Sequence, residues 1–199
     1  MKNKKNNTDR QIESLIGQLT LDEKIAMIHG SELFRTGAVP RLGIPALVFS
    51  DGPMGVRQDF RPDGWTSADG SKKPTSYLPS GSALAATWDP EIIEMAGLVL
   101  GEETRARGKD VILGPSLNIK RTPLCGRNFE YMSEDPLLAG TAASAMIRGI
   151  QSAGTAACPK HFALNSQETE RLWVNVEIDD RALYEIYLPA FRAALEEGG

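Results

Sequence analysis

Residues 89–116, DPEIIEMAGLVLGEETRARGKDVILGPS, hold a full change of hydrophobic period. Asp89 before Pro90 gives an N-cap and a proline at the first helical position, and Ile92, Ile93, Ala96, Val99 and Leu100 then form an apolar stripe. Glu91 and Glu94 near the start, and Arg105 and Arg107 before Gly108, suit the helix dipole and a glycine stop. Val111, Ile112 and Leu113 follow as a short apolar run closed by Gly114-Pro115, which reads as a buried strand.

Working outward, the same alternation repeats. Asp135-Pro136 opens a helix rich in small residues that runs to about Gln151, with Gly154 beyond it and an apolar run at 155–158. An earlier run lies at 46–49, a short candidate strand at 83–86, and an alternating strand-like segment at 173–178. Asp179 or Asp180 caps a helical stretch over 181–197 that Pro189 should kink or break. Near the start, after a polar tail at 1–11, Thr20 and Glu23 make a capping box within a helix pair. Strands separated by helices imply parallel β/α units, so the fold class is α/β. The chain offers no linker to mark a domain boundary. Residues 58–82 are rich in Gly and Pro, a length without secondary structure that is usually functional, and Trp65 within them is a plausible sugar-stacking platform.

Composition narrows the function classes. The 199 residues are 41% hydrophobic and 24% charged, an ordinary globular balance. With 22 basic against 26 acidic residues and a formal charge of -4, a nucleic-acid footprint is not supported. The basic start is followed by no apolar signal core, and no run of 18 apolar residues occurs, which predicts a cytoplasmic chain with no membrane span. Two cysteines, Cys125 and Cys158, and two histidines, His29 and His161, make a zinc site improbable. No P-loop or dinucleotide fingerprint is present, and no cofactor or metal is expected.

Polar residues cluster just after the apolar runs, where parallel β/α folds place their ligand face. Ser50-Asp51 follows the first, Asn118 to Arg121 the second, and Lys160-His161 the third. Singly, each has a plain structural reading: Asp51-Gly52 as a turn, Arg127 with Glu130 as a local ion pair, and Arg171 with Glu168 and Glu170 as a solvated face. Together, carboxylate acceptors beside Arg, Lys and His suit a neutral ligand dense in hydroxyls. Asp51 would repel a phosphate, the competing ligand class.

The segments SDGPMGVR (50–57), GPSLNIKRTPLCGRNFEYMSEDP (114–136) and KHFALNSQETER (160–171) closely resemble the N-terminal catalytic domain of glycoside hydrolase family 3, β-glucosidase type. LTLDEKIAMIHG (19–30) and ALAATWDPE (83–91) resemble it too. The resemblance implies a (β/α)8 TIM-type barrel, here partial, and retaining hydrolysis of terminal non-reducing β-D-glucosyl residues from a β-glucoside or oligosaccharide. It implies that Asp51, Arg57, Arg127, Lys160, His161 and Arg171 line the sugar pocket, with Lys160, His161 and Arg127 donating to hydroxyls. The N-acetylglucosaminidase branch is disfavoured, because KHF continues as ALNSQETER and not as a PGHG-like motif. The family's nucleophilic Asp lies in an SDW-like motif on a later strand and its acid/base in a following domain. Neither occurs in these 199 residues, whose only Ser-Asp is Ser50-Asp51, so the resemblance implies that both lie beyond Gly199. A barrel typically needs about 250 residues. The expectation is therefore an incomplete barrel, residues 1–199, with a sugar pocket but no catalytic pair, and an uncovered edge through which copies could associate. A non-catalytic sugar-binding module, an inactive gene fragment and a phosphate-handling β/α enzyme are the alternatives.

Overall fold

The structure, a computed structural model, describes residues 7–57 and 74–199. Trp65 and most of the Gly/Pro-rich stretch lie outside them. The chain divides into two compact units, one holding residues up to 48 and the other the described residues from 49 onward.

The first unit starts with α1 (Asn7–Gln18), which begins inside the stretch read as a polar tail. α2 (Leu21–Met27) carries the capping box: Thr20 Oγ1 accepts from the Glu23 amide, and the Glu23 carboxylate accepts from the Thr20 amide at 2.8 Å. Strands β1 (Gly30–Glu32) and β2 (Arg35–Thr36) pair antiparallel.

In the second unit, β3 (Phe49–Asp51) leads to α3 (Gly81–Ala86) and α4 (Pro90–Ala106), then β4 (Val111–Leu113), α5 (Pro136–Ser152) and β5 (Ala156–Ala157). The three strands form one parallel sheet in the order β3-β4-β5, with Asp51 opposite Leu113 and Ile112 opposite Ala157. Consecutive parallel neighbours joined by helical crossovers are the succession of a partial TIM-type (β/α) barrel. The central strand is the most enclosed, with Ile112 fully buried.

α4 and α5 start as their Asp-Pro pairs dictate: Asp89 accepts from the Glu91 amide at 2.9 Å and Asp135 from the Leu138 amide at 2.7 Å. Their contact depends on missing side chains. A Cβ on Gly149 would sit 2.1 Å from the Glu94 carbonyl oxygen, and one on Gly97 would sit 2.3 Å from that of Met146. Only glycine lets the two backbones approach this closely. Ile93, Leu100, Met146, Ile147 and Ile150 then close the core between the helices and the sheet.

The last helical stretch is α6 (Asp180–Ala182), a single π turn at Leu183–Tyr187, and α7 (Leu188–Glu196). Pro189 explains the interruption: it has no amide to give to Glu185 and its ring crowds that carbonyl, and the wider turn lets the Leu188 amide reach the Leu183 carbonyl instead. After α7, the Gly199 carbonyl accepts from Gln151 Nε2 on α5 at 3.1 Å.

Two strand expectations are corrected. Residues 83–86 are helical, because Ser80 Oγ accepts from the Ala83 amide and starts α3 on a run of small residues. Residues 173–178 form no strand: no ladder partner lies beside them among the described residues, and Trp173, Val174 and Val176 are exposed. Two others shift. The run at 46–49 becomes β3 at Phe49–Asp51, because its pairing with β4 sets the register, and the run at 155–158 keeps only Ala156–Ala157 as ladder.

Candidate functional site

Asp51 is the last residue of β3, so its side chain emerges at the C-terminal edge of the sheet. Beyond β5, a parallel bridge between Ser116 and Lys160 carries the backbone pairing onward, and the Leu117 amide donates to the Lys160 carbonyl at 2.7 Å. That extension brings the Lys160 ammonium to Asp51 Oδ1 at 2.7 Å. Arg57 reaches the other carboxylate oxygen at 3.2 Å, and the Gly52 amide donates to Oδ1 at 2.9 Å.

A second carboxylate stands behind Lys160. Glu130 is 4% exposed; it accepts from Ser116 Oγ at 2.7 Å and from Arg127 Nε, and it lies 3.9 Å from Lys160 Nζ. Arg127 also approaches Glu168 at 3.9 Å, and Glu168 pairs with Arg171 at 3.3 Å. His161 joins through Tyr131, whose hydroxyl lies 3.2 Å from His161 Nδ1. Asn165 Nδ2 donates both to that hydroxyl and to Glu168 Oε1, each at 2.8 Å. The six residues singled out in the sequence, Asp51, Arg57, Arg127, Lys160, His161 and Arg171, are therefore brought into one connected polar network.

The sequence offers plain readings for Glu130, as a local ion pair with Arg127, and for Glu168, as part of a solvated face, and it does not single out Ser116, Tyr131 or Asn165. Glu130 has a sequence signal, a carboxylate three residues after Arg127. Tyr131 has none, because an aromatic next to Met132 reads as core.

The electrostatics follow from burial and pairing. Burial alone would raise the Asp51 pKa, but the hydrogen bond and charge of Lys160, the Gly52 amide and Arg57 outweigh it and hold the carboxyl below its usual value. Glu130 behaves alike: burial pushes up, while hydrogen bonds from Arg127 and Ser116 and the charges of Lys160 and Arg127 push further down. Burial lowers the His161 pKa to about 4, helped by the nearby positive charges of Arg127 and Lys160. At neutral pH Asp51 and Glu130 are thus ionised and the His161 imidazole is neutral.

These shifts predict how stability depends on pH. The folded His161 titrates near 4, against 6.5 for the unperturbed group, so between those values the unfolded chain binds the extra proton. Stability rises with pH wherever the unfolded state binds more protons. The contribution of His161 is present above 6.5 and lost as pH falls towards 4; those of Asp51 and Glu130 are present above their unfolded values and lost as pH falls through their lower folded ones. All three act in one direction. The urea midpoint should fall between about pH 7 and pH 4.5; an unchanged midpoint would contradict the burial of His161.

The sequence model described as the glycosyl hydrolase family 3 N-terminal domain matches residues 5–199. The chain belongs to glycosyl hydrolase family 3. Among its relatives, it is 47% identical over 188 residues to beta-glucosidase BoGH3A of Bacteroides ovatus, spanning 94% of this chain and 25% of that protein. Thermostable beta-glucosidase B of Acetivibrio thermocellus is 45% identical over 186 residues, covering 94% and 24%. Beta-glucosidase 3B from Thermotoga neapolitana, solved in complex with glucose, superposes with a TM-score of 0.85 at 41% identity, covering 94% of this chain and 28% of that one. The Kluyveromyces marxianus beta-glucosidase in complex with glucose gives 0.85 at 41% identity, with 94% and 22% covered. The chain thus spans about a quarter of the length of these relatives. Among the described residues no helix is long and apolar enough to cross a membrane.

Proposed function

We propose that this chain supplies the glycone-binding side of a retaining glycoside hydrolase of the β-glucosidase type, taking terminal non-reducing β-D-glucosyl residues. The observation that carries the reading is the Asp51–Lys160 pair at the strand ends, 2.7 Å apart, with Arg57, Arg127, Glu130 and His161 around it. A sugar hydroxyl is both donor and acceptor, and a carboxylate beside an ammonium meets both needs. Hydrogen bonds to charged groups contribute about 1.5–3 kcal/mol each, enough to hold a sugar ring in one orientation. A phosphate finds cations here too, but it also meets the ionised Asp51 and Glu130. The glucose complexes of the Thermotoga neapolitana and Kluyveromyces marxianus enzymes support glucose as the ligand.

The same geometry argues against turnover by Asp51 or Glu130. Retaining hydrolysis needs two carboxyl groups about 5–5.5 Å apart, one of them protonated to assist the leaving group. Asp51 and Glu130 are both held below their usual pKa, and the Glu130 oxygens are committed to Arg127 and Ser116. Neither is poised to give up a proton, so both belong to binding and positioning. On this reading the nucleophile and the acid/base are carboxyl groups other than these two.

Crystals of the 199-residue chain soaked with D-glucose should show hydroxyls within hydrogen-bond distance of the Asp51 carboxylate and the Lys160 ammonium. The same preparation should hydrolyse an aryl β-glucoside no faster than buffer. A sugar bound elsewhere would overturn the site, and clear turnover would overturn the roles given to Asp51 and Glu130.

A further inference from the structure

Hydrogen-bond counting around Tyr131 assigns a role to His161 that differs from the donor expected above; the inference rests on the sugar-binding reading of the site only for the identity of the ligand. Tyr131 is fully buried, and its ring meets that of His161 edge-on with centroids 5.9 Å apart. Its hydroxyl has three polar neighbours: His161 Nδ1 at 3.2 Å, the Asn165 carbonyl oxygen at 3.2 Å and Asn165 Nδ2 at 2.8 Å. A phenol offers one proton and two lone pairs for these three contacts.

Each contact can be assigned. The Asn165 side-chain amide is oriented from its far side, because the Glu168 carboxylate 2.8 Å away only accepts, so the group between Glu168 and Tyr131 is the NH2. That NH2 donates to the phenol oxygen and fills one lone pair. The Asn165 backbone carbonyl only accepts, so it takes the phenol proton. One lone pair remains for His161, and the contact is satisfied when Nδ1 carries the imidazole proton. In the opposite assignment the phenol proton goes to Nδ1, and two oxygens face each other at 3.2 Å with no proton between them.

We infer that Tyr131 and Asn165 hold His161 as the Nδ1–H tautomer, so that its bare Nε2 accepts a hydrogen bond from a ligand hydroxyl. Tyr131 and Asn165 are positioning residues; only His161 meets the ligand. The assignment complements the rest of the site. Arg57, Arg127 and Lys160 can only donate, and Asp51 alone cannot receive every hydroxyl proton of a sugar. A neutral imidazole that accepts adds the missing capacity without a further negative charge. The burial and neighbouring cations that keep the ring uncharged make this capacity available at neutral pH.

The test is a long-range proton–nitrogen correlation spectrum of the chain labelled with 15N-histidine. His29→Gln leaves one imidazole to observe, since the sequence holds only His29 and His161. Without ligand at pH 7, His161 should show a protonated Nδ1 and an unprotonated Nε2. Tyr131→Phe, which removes the acceptor for Nδ1–H, should move the ring towards the Nε2–H form. A protonated Nε2 in the ligand-free protein with Tyr131 intact would overturn the proposal, and that spectrum stands even if Tyr131→Phe does not fold. Adding glucose should shift the Nε2 signal while it stays unprotonated. Protonation of Nε2, or no shift under conditions where calorimetry shows glucose bound, would overturn the acceptor role. If calorimetry shows no glucose binding, the sugar reading fails and the tautomer is judged on the ligand-free spectrum alone.

Discussion

Asp51→Ala should abolish measurable glucose binding. Its carboxylate is the acceptor at the end of β3, and two cations and an amide hold it in place and ionised. Each sugar hydroxyl it receives is a hydrogen bond to a charged group, worth about 1.5–3 kcal/mol, so losing one weakens binding roughly 10- to 150-fold. Removing the carboxylate also frees the Lys160 ammonium to turn to Glu130, already 3.9 Å away, and so moves a second ligand contact. Asp51→Asn keeps the shape and one acceptor oxygen, and should bind with intermediate affinity. Titration calorimetry reads the effect directly. Binding of glucose by Asp51→Ala within a factor of two of the parent chain would place the sugar elsewhere.

The second large effect is on stability. Glu130 is almost fully buried and accepts from Ser116 and Arg127, with Lys160 close by. In Glu130→Ala these groups stay behind without their acceptor, and a buried ion pair broken on one side costs about 3–5 kcal/mol. That is a large share of the total for a domain, about 5–15 kcal/mol. Glu130→Gln keeps the volume and restores an acceptor for Ser116, but it removes the charge that Arg127 and Lys160 face. It should fall between the parent and Glu130→Ala. Urea unfolding, with unchanged slope and a lowered midpoint, is the check; a loss below about 1 kcal/mol for Glu130→Ala would mean that the pairing carries little weight.

How much of this was legible beforehand depends on distance along the chain. α4 and α5 could be read because Asp-Pro starts and apolar stripes are local signals, and β4 because helix and turn signals bracket it. β3 slid by a few residues, because the position of a strand is set by its partner: Phe49 pairs with Val111, far away in sequence. Residues 173–178 show the same limit from the other side, since alternation makes a strand only where a ladder partner exists. In the site, Arg127 and Glu130 were legible as a pair three residues apart. The Lys160–Asp51 contact spans 109 positions; strand-end placement and the family resemblance put both residues on one ligand face, but neither shows that they pair directly. Tyr131 and Asn165 escaped because their part is geometric: a buried phenol between an amide and an imidazole 30 residues away leaves no mark in composition or spacing.

Titration of the 199-residue chain with D-glucose in a calorimeter at neutral pH, with inorganic phosphate as the comparison, tests the central claim most directly. The account predicts saturable heat for glucose, none for phosphate, and loss of the glucose signal in Asp51→Ala. Heat for phosphate and none for glucose, from a chain shown to be folded, would contradict it.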